Sequence, residues 1–85
     1  MDTNFLKKHV LAVVNYQINY YDFKIADSCI YIINKNLKYH FYNIRTFVEK
    51  EDEYTIYFKN GKILILYDKE LYNIIYKSYT GLSQS

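Results

Sequence analysis

The chain has 85 residues, of which 51% are hydrophobic and 20% aromatic, and its formal net charge at pH 7 is +2. This composition excludes an intrinsically disordered chain, because such chains have too few apolar and aromatic residues to form a core. The single cysteine, Cys29, excludes an internal disulfide and suits a reducing compartment. We therefore expect one small domain over residues 1–85, with its core within about residues 10–80.

The first segment, residues 3–14, fits either a short helix or a strand. Polar residues at positions 2–4 could cap a helix, and Leu6, Val10 and Val13 would then share one stripe. No charge-free stretch of the chain is long and apolar enough to cross a bilayer, and no signal peptide is evident. We expect no membrane association and a location in the cytoplasm of the host cell.

Period-two alternation begins at the end of this segment. Apolar residues on even positions from Val14 to Tyr20 alternate with polar ones, which predicts a half-buried strand. The apolar positions then become odd-numbered from Tyr21 to Ile25. This change of parity predicts a β-bulge or tight bend near Tyr20 and Tyr21.

Turn residues separate the shorter strands that follow. Asp27 and Ser28 predict a turn before an apolar, β-branched strand over residues 29–33. Further strands are predicted over residues 37–42 and 46–49. The acidic link EKEDE, residues 49–53, then leads into the next hairpin.

The segment YTIYFKNGKILILY, residues 54–67, contains two β-type runs joined by an Asn-Gly pair. Asn-Gly predicts a two-residue type I′ turn, which needs positive φ at both central positions. In this register Phe58 faces Ile63 on an inner face, and Tyr57 faces Leu64 on the other. Because both faces are apolar, the second face needs a partner in this chain or in another molecule.

A C-terminal helix follows this hairpin. Asp68 predicts its N-cap, Gly81 its C-terminal end, and residues 82–85 a tail. The helix carries a core stripe and, beside it, an aromatic shoulder. The stripe comprises Leu71, Ile74, Ile75 and Ser78, and the shoulder comprises Tyr72, Tyr76 and Tyr79.

Seven short strands before one helix resemble, in their order, the bacterial pleckstrin-homology-like (PH-like) domains. The similar segment is FKIADSCIYIINKNLKYHFYNIRTFVEKEDEYTIYFKNGKILILYDKELY, within about residues 22–79. It contains a strand pair ending in Tyr42-Asn43-Ile44, a strand with an acidic end, the Asn-Gly hairpin and the capped helix. The resemblance implies an α+β fold with a C-terminal helix and either a curved antiparallel sheet or a two-sheet, partly open barrel.

The chain also departs from that family. Many bacterial relatives have transmembrane helices before the domain, and they often have a proline where this chain has Tyr67-Asp68. Arg45 is the only arginine, so the basic phosphoinositide motif of the eukaryotic branch is missing and lipid headgroup binding is not implied. The resemblance does imply a scaffold that binds proteins in many relatives, although a fold alone does not define a function.

The residues that usually carry chemistry show no catalytic or metal-binding pattern. His9, His40 and Cys29 do not have the spacing of metal ligands or of an activated nucleophile. With two glycines in the chain, a phosphate-cradling loop is excluded. We therefore expect no cofactor and no enzymatic activity.

The expected function is protein binding, either to an unknown partner or to a second copy in a homodimer. A small chain without a chemical site suits a phage or mobile-element inhibitor that occludes a host enzyme or nuclease. The tyrosine excess favours a binding surface, although AT-rich coding would also produce it. The candidate binding residues are Tyr57, Leu64, Tyr72, Tyr76, Tyr79, Glu49, Glu51, Asp52 and Glu53.

The alternative function is binding of single-stranded nucleic acid through surface tyrosines and lysines. Its candidate residues are Lys35, Lys38, Lys59 and Lys62. Base stacking needs a positive groove beside the aromatic rings, and dispersed lysines supply little of it.

Overall fold

The computed structural model describes residues 6–83, which form seven antiparallel strands, one α-helix and two short 3-10 helices, Ile33–Lys35 and Phe41–Asn43. The predicted strands at residues 29–33 and 37–42 therefore end earlier, at Ile32 and His40. The strands form one sheet in the order β4-β3-β2-β1-β7-β6-β5, curled into a half-barrel with the helix at the C-terminal end. The predicted α+β fold is confirmed. The elements are β1 (Leu6–Val14), β2 (Gln17–Ala26), β3 (Cys29–Ile32), β4 (Leu37–His40), β5 (Ile44–Glu49), β6 (Tyr54–Phe58), β7 (Ile63–Leu66) and α1 (Lys69–Ser83).

The first hairpin differs from the prediction. The described part of the first segment is strand β1, and a two-residue turn at Asn15 and Tyr16, with φ of 52° and 65°, joins it to β2. The prediction of one continuous strand from Val14 to Tyr20 is therefore wrong, because the turn divides these residues between β1 and β2. The predicted bulge is also wrong, because β1 and β2 pair without interruption. The turn itself moves the apolar positions from even to odd numbers. The sequence pattern does not reveal this turn, because Tyr16 also fits the alternation of a strand. The capping positions 2–4 lie outside the described residues.

The next turns agree with the prediction. Asp27 and Ser28, with φ of 54° and 58°, form a two-residue turn between β2 and β3. Both residue types tolerate the left-handed region better than most. Asn36, with φ of 55°, closes the turn between β3 and β4, and its backbone N–H donates to the Ile33 carbonyl.

The register of the β6–β7 hairpin is one residue from the predicted one. Tyr57 pairs with Ile63, and Ile56 pairs with Leu64. The loop has three residues, 59–61, and only Gly61 has positive φ, at 88°. The observed loop is a type I turn closed by a glycine bulge, which an Asn-Gly pair also suits. The local sequence therefore does not distinguish this loop from the predicted type I′ turn.

This one-residue shift in register places each side chain of β7 on the face of the sheet opposite to the predicted one. Leu64 and Leu66, which the predicted register places on the second face, are fully buried in the core. The helix adds its own side chains to this core, which lies on the inner side of the sheet. The core residues include Ala12, Val14, Tyr21, Phe23, Ile30, Ile32, Tyr39, Ile44, Ile56, Phe58, Leu64, Leu66, Leu71, Tyr72 and Ile75.

Polar contacts at its N-terminus fix the helix to the sheet. The backbone N–H of Leu71 donates to Asp68 Oδ2 at 2.9 Å, which confirms Asp68 as the N-cap. The Lys8 ammonium, on β1, donates to the same Asp68 oxygen at 2.9 Å and to Glu70 Oε1 at 2.7 Å. At the other end, Gly81 does not stop the helix, which continues to Ser83.

These contacts shift the protonation equilibria of both partners. Burial alone would raise the pKa of Asp68, but the hydrogen bonds from Lys8 and Leu71, with the Lys8 charge, lower it below its usual 3.8. Hydrogen bonds to Glu70 and Asp68 raise the pKa of Lys8 above its usual 10.5. Each partner therefore holds the other in its charged form at neutral pH.

We expect Gly61→Ala to lower the free energy of unfolding by about 1 kcal/mol, because an alanine is strained at positive φ. A Cβ at Gly61 would meet nothing within 4 Å, so backbone conformation alone causes the loss. Gly81 is the matched control, since it also has open space but lies in the helix. Gly81→Ala is expected to stabilise the protein by up to about 1 kcal/mol. Urea unfolding measures both, and equal effects of the two substitutions would contradict the observed loop.

We expect Asp68→Asn to destabilise the protein by about 1 kcal/mol at neutral pH, because asparagine still caps the helix but loses the Lys8 ion pair. The folded-state pKa of Asp68 is lowered, so its contribution is complete above its unfolded value and is lost as pH falls through the folded value. The difference between wild type and variant should therefore vanish in strong acid.

Urea unfolding at a series of pH values measures this convergence. Glu70→Gln is the control, because the Glu70 side chain is 68% exposed and its loss should change stability less. Parallel pH profiles for wild type and Asp68→Asn would contradict the assignment.

Candidate binding surfaces

A row of mainly apolar side chains crosses the outer face of five strands. Ile18 on β2 pairs with Val13 on β1, and Val13 pairs with Ile65 on β7. The row continues through Thr55 on β6 to Val48 on β5. Cross-strand partners lie on the same side of a sheet, so these five residues form one continuous line.

Further apolar pairs flank this row on both sides. Leu11 pairs with Tyr20, and Tyr57 pairs with Ile63, again on the outer face. Together with the row, these four residues define the outer apolar band. It is open at its β2 end, where Ile18 is 61% and Tyr20 55% exposed.

The β1–β2 hairpin tip adds to the open end of the band. Tyr16, in the turn, is 86% exposed and is the most exposed large apolar side chain among residues 7–81. A groove of about 280 Å³ lies along the band between Leu11, Tyr20 and Tyr67. Sequence reasoning missed Tyr16, Ile18 and Tyr20, because the pattern placed them in a half-buried strand.

The two residues predicted as the centre of a surface have different environments. Tyr57 is on the outer face and partly buried, with the Arg45 guanidinium 5.8 Å from its ring centroid. Leu64 is 0% exposed and contributes to the core, so its prediction as a surface residue is wrong. The one-residue slip in register explains the error, and Ile63 is the outer partner of Tyr57.

The aromatic shoulder of the helix packs against Phe47 of β5. The ring centroid of Phe47 lies 5.9 Å from Tyr72, 5.0 Å from Tyr76 and 5.4 Å from Tyr79, all edge to face. Tyr54 stacks on Tyr72 at 4.7 Å. Tyr72 is buried in this cluster, whereas Tyr76 is 44% exposed. The cluster therefore joins helix and sheet and exposes only its outer rim.

The acidic link lies mainly at the surface. Glu49, which ends β5 opposite Tyr54, is exposed, as are Glu51 and Asp52, whereas Glu53 is half-buried. The backbone N–H of Lys50 donates to the Glu53 carbonyl at 2.8 Å, which closes the link into a tight turn. Burial raises the pKa of Tyr72, and the nearby Glu49 carboxylate raises it further.

The predicted lysines form two groups on different hairpins. Lys35 and Lys38 belong to the β3–β4 hairpin, whereas Lys59 lies in the β6–β7 loop and Lys62 directly follows it. The successive pairing of β1 with β2, β2 with β3 and β3 with β4 instead aligns Lys38 with Tyr31 and with two lysines that were not predicted. We call Lys7, Lys24, Tyr31 and Lys38 the lysine row.

Cys29 and His40, distant in sequence, meet on paired strands. Cys29 Sγ lies 3.3 Å from His40 Nδ1, and the His40 ring stacks on Tyr42 at a centroid distance of 4.8 Å. Cys29 is buried. Within residues 6–83 no group of three or more His, Cys, Asp and Glu side chains is arranged to hold a metal ion.

Comparisons with known proteins identify no relative. No protein-family model matches the chain, and neither the curated proteins nor the solved structures contain a significant match. Across residues 6–83, no helix has the length and apolarity required to cross a membrane.

We expect Tyr72→Phe to remove one phenol that ionises late in an alkaline titration. Burial raises the pKa of Tyr72 above its usual 10.0, so the stability it contributes is complete below that value and is lost as pH rises towards the folded-state pKa. Tyrosinate absorbance and unfolding at high pH measure the change. Tyr16→Phe, at an exposed position, corrects for the loss of one of the 12 tyrosines. Identical alkaline curves for the two variants would contradict the buried environment of Tyr72.

Proposed function

We propose that this protein is a non-enzymatic protein-binding module and that the outer apolar band is its binding surface. The supporting observation is the continuous, mainly apolar row across five strands, together with the open end of the band, where Ile18 and Tyr20 are exposed. Soluble monomers rarely expose contiguous apolar patches of more than a few hundred Å² unless these bind something. Aromatic side chains at the centre of such patches contribute most of the affinity in many complexes.

The β1–β2 hairpin supports this proposal because it presents the exposed side chains on a rigid element. The two strands pair along nine consecutive residues, from Leu6 with Ile25 to Val14 with Gln17. Ala12 and Val14 of the same hairpin are buried in the core, so the tip is fixed from behind. A preorganised surface loses little conformational entropy on binding.

We also propose that the fold is PH-like. The strand order, the single C-terminal helix and the local similarity described above support a PH-like scaffold. In many members of that family the scaffold binds proteins, which agrees with the proposed role. We further propose a cytoplasmic location and action by occlusion of a larger host enzyme, supported by the free thiol of Cys29 and the small size of the chain.

We expect a double variant, Ile18→Lys with Tyr20→Lys, to reduce partner binding at least tenfold, because it places two charges in an apolar contact. Its folding should be unchanged, since both side chains are exposed. Ile33→Lys is the matched control, as Ile33 is 47% exposed but lies on the β3–β4 turn outside the band.

Light scattering at several concentrations and capture from a lysate of the source organism measure the effect. A dimer mass or a specific captured protein that the double variant loses and the control retains supports the proposal. A wild-type protein that stays at 10.4 kDa and captures nothing overturns it, as does equal loss in the control.

A further inference from the structure

The lysine row crosses the outer face of β1–β4, at the end of β1 away from the outer apolar band. Lys7 pairs with Lys24, Lys24 with Tyr31, and Tyr31 with Lys38. At the usual strand spacing, four neighbouring positions span roughly 14 Å. The sequence separates these lysines widely, and only the sheet register brings them into one line.

The lysine row has a larger positive charge than the net charge of the whole chain. Its three lysines exceed the net charge of +2, and none of its four members is acidic. Lysines directly opposite each other, as Lys7 and Lys24 are, disfavour folding. The one carboxylate on the neighbouring line of β2, Asp22, is hydrogen-bonded to His9 Nδ1 at 2.5 Å.

Tyr31 lies between two of these charges and orients them. The Lys24 ammonium is 5.3 Å and the Lys38 ammonium 5.8 Å from the centre of its ring, within cation–π range. An aromatic ring does not neutralise an ammonium group. An ammonium group has three N–H donors, so the Lys38 ammonium can still donate to an anionic oxygen while it contacts the ring, and phosphate is a common ligand of lysine.

An exposed aromatic ring, that of Tyr42, lies near the Lys38 end of the lysine row. Tyr42 is 66% exposed, and one face of its ring stacks on His40 at an interplanar angle of 22°. His40 is two residues from Lys38 on β4, and alternation places both side chains on the outer face. The contact between Cys29 Sγ and His40 Nδ1, at 3.3 Å, also holds the imidazole in place. The free face of Tyr42 is thus available for stacking.

We propose that the lysine row and Tyr42 form a binding site for single-stranded nucleic acid. The lysines contact successive phosphates, and Tyr42 stacks on an unpaired base. A positive track beside an aromatic platform is how sequence-tolerant single-strand binders work, whereas a duplex keeps its base faces inside the helix. This function goes beyond the proposed protein binding and uses a different part of the outer face.

Fluorescence anisotropy with a labelled oligothymidylate tests the proposal at low and moderate salt. For the wild type we expect the logarithm of the binding constant to fall with the logarithm of salt concentration with a slope of about −2, as for three phosphate contacts on a single strand. The triple variant Lys7→Ala, Lys24→Ala, Lys38→Ala should bind at least tenfold more weakly and lose most of that slope. The charge-matched control Lys59→Ala, Lys62→Ala, Lys69→Ala should retain both affinity and slope.

Tyr42 is tested separately from the charges. Tyr42→Ala should weaken binding about tenfold without changing the salt slope, because it removes stacking and no phosphate contact. Tyr42→Phe keeps a ring and should bind as the wild type does. Thermal unfolding of each variant checks that the fold is intact.

Four results would overturn the proposal: no binding of the oligonucleotide by the wild type at low salt, equal losses in the two triple variants, tighter binding of a duplex of the same length, or binding only to vesicles containing phosphatidylserine. The double variant Ile18→Lys, Tyr20→Lys should still bind the oligonucleotide. That result separates this site from the outer apolar band, so either function can fail without the other.

Discussion

The pairing of β1 with two neighbours is the constraint on which the rest of the structure depends. It pairs with β2 along its entire length but with β7 only through Ala12, Val13 and Val14. These three residues join β2–β4 to β5–β7 in one sheet. Beyond them β1 continues without β7, so the sheet opens at that end and the helix N-terminus occupies the space, where Lys8 reaches Asp68.

The same strand divides the outer face into two chemically different regions. Near its C-terminal end, β1 places Val13 in an apolar row that extends to β5. Near its N-terminal end it places Lys7 in a cationic row that extends to β4. A small domain with little interior can thus present two distinct surfaces, because a sheet exposes cross-strand lines of side chains rather than single residues.

Aromatic residues compensate for the limited size of the core. Tyr21 is almost fully buried, yet its hydroxyl donates to the Gln17 carbonyl at 2.9 Å. Tyr39 stacks on Phe58 at 4.8 Å, and burial raises its pKa. Large rings bury much apolar area per residue while their hydroxyls remain paired or solvated. A core of this kind is economical for a chain of 85 residues, in which the buried fraction is low.

Local sequence determined most of the element types. Alternation predicted strands, Asp27 and Ser28 predicted a turn, and Asp68 predicted the helix cap, because each of these depends on a few neighbouring residues. The aromatic shoulder of the helix was also predictable from helical spacing. Its partner Phe47 was not, since nothing in a short strand indicates which helix it contacts.

Only the tertiary structure decided which residues share a surface. The turn at Asn15 and Tyr16 and the three-residue loop at Gly61 each moved side chains to the opposite face from the predicted one. A register shift of one residue costs little locally, and only packing of the core selects between the alternatives. The outer apolar band and the lysine row depend on that selection, because their members are far apart in sequence and meet only through strand pairing.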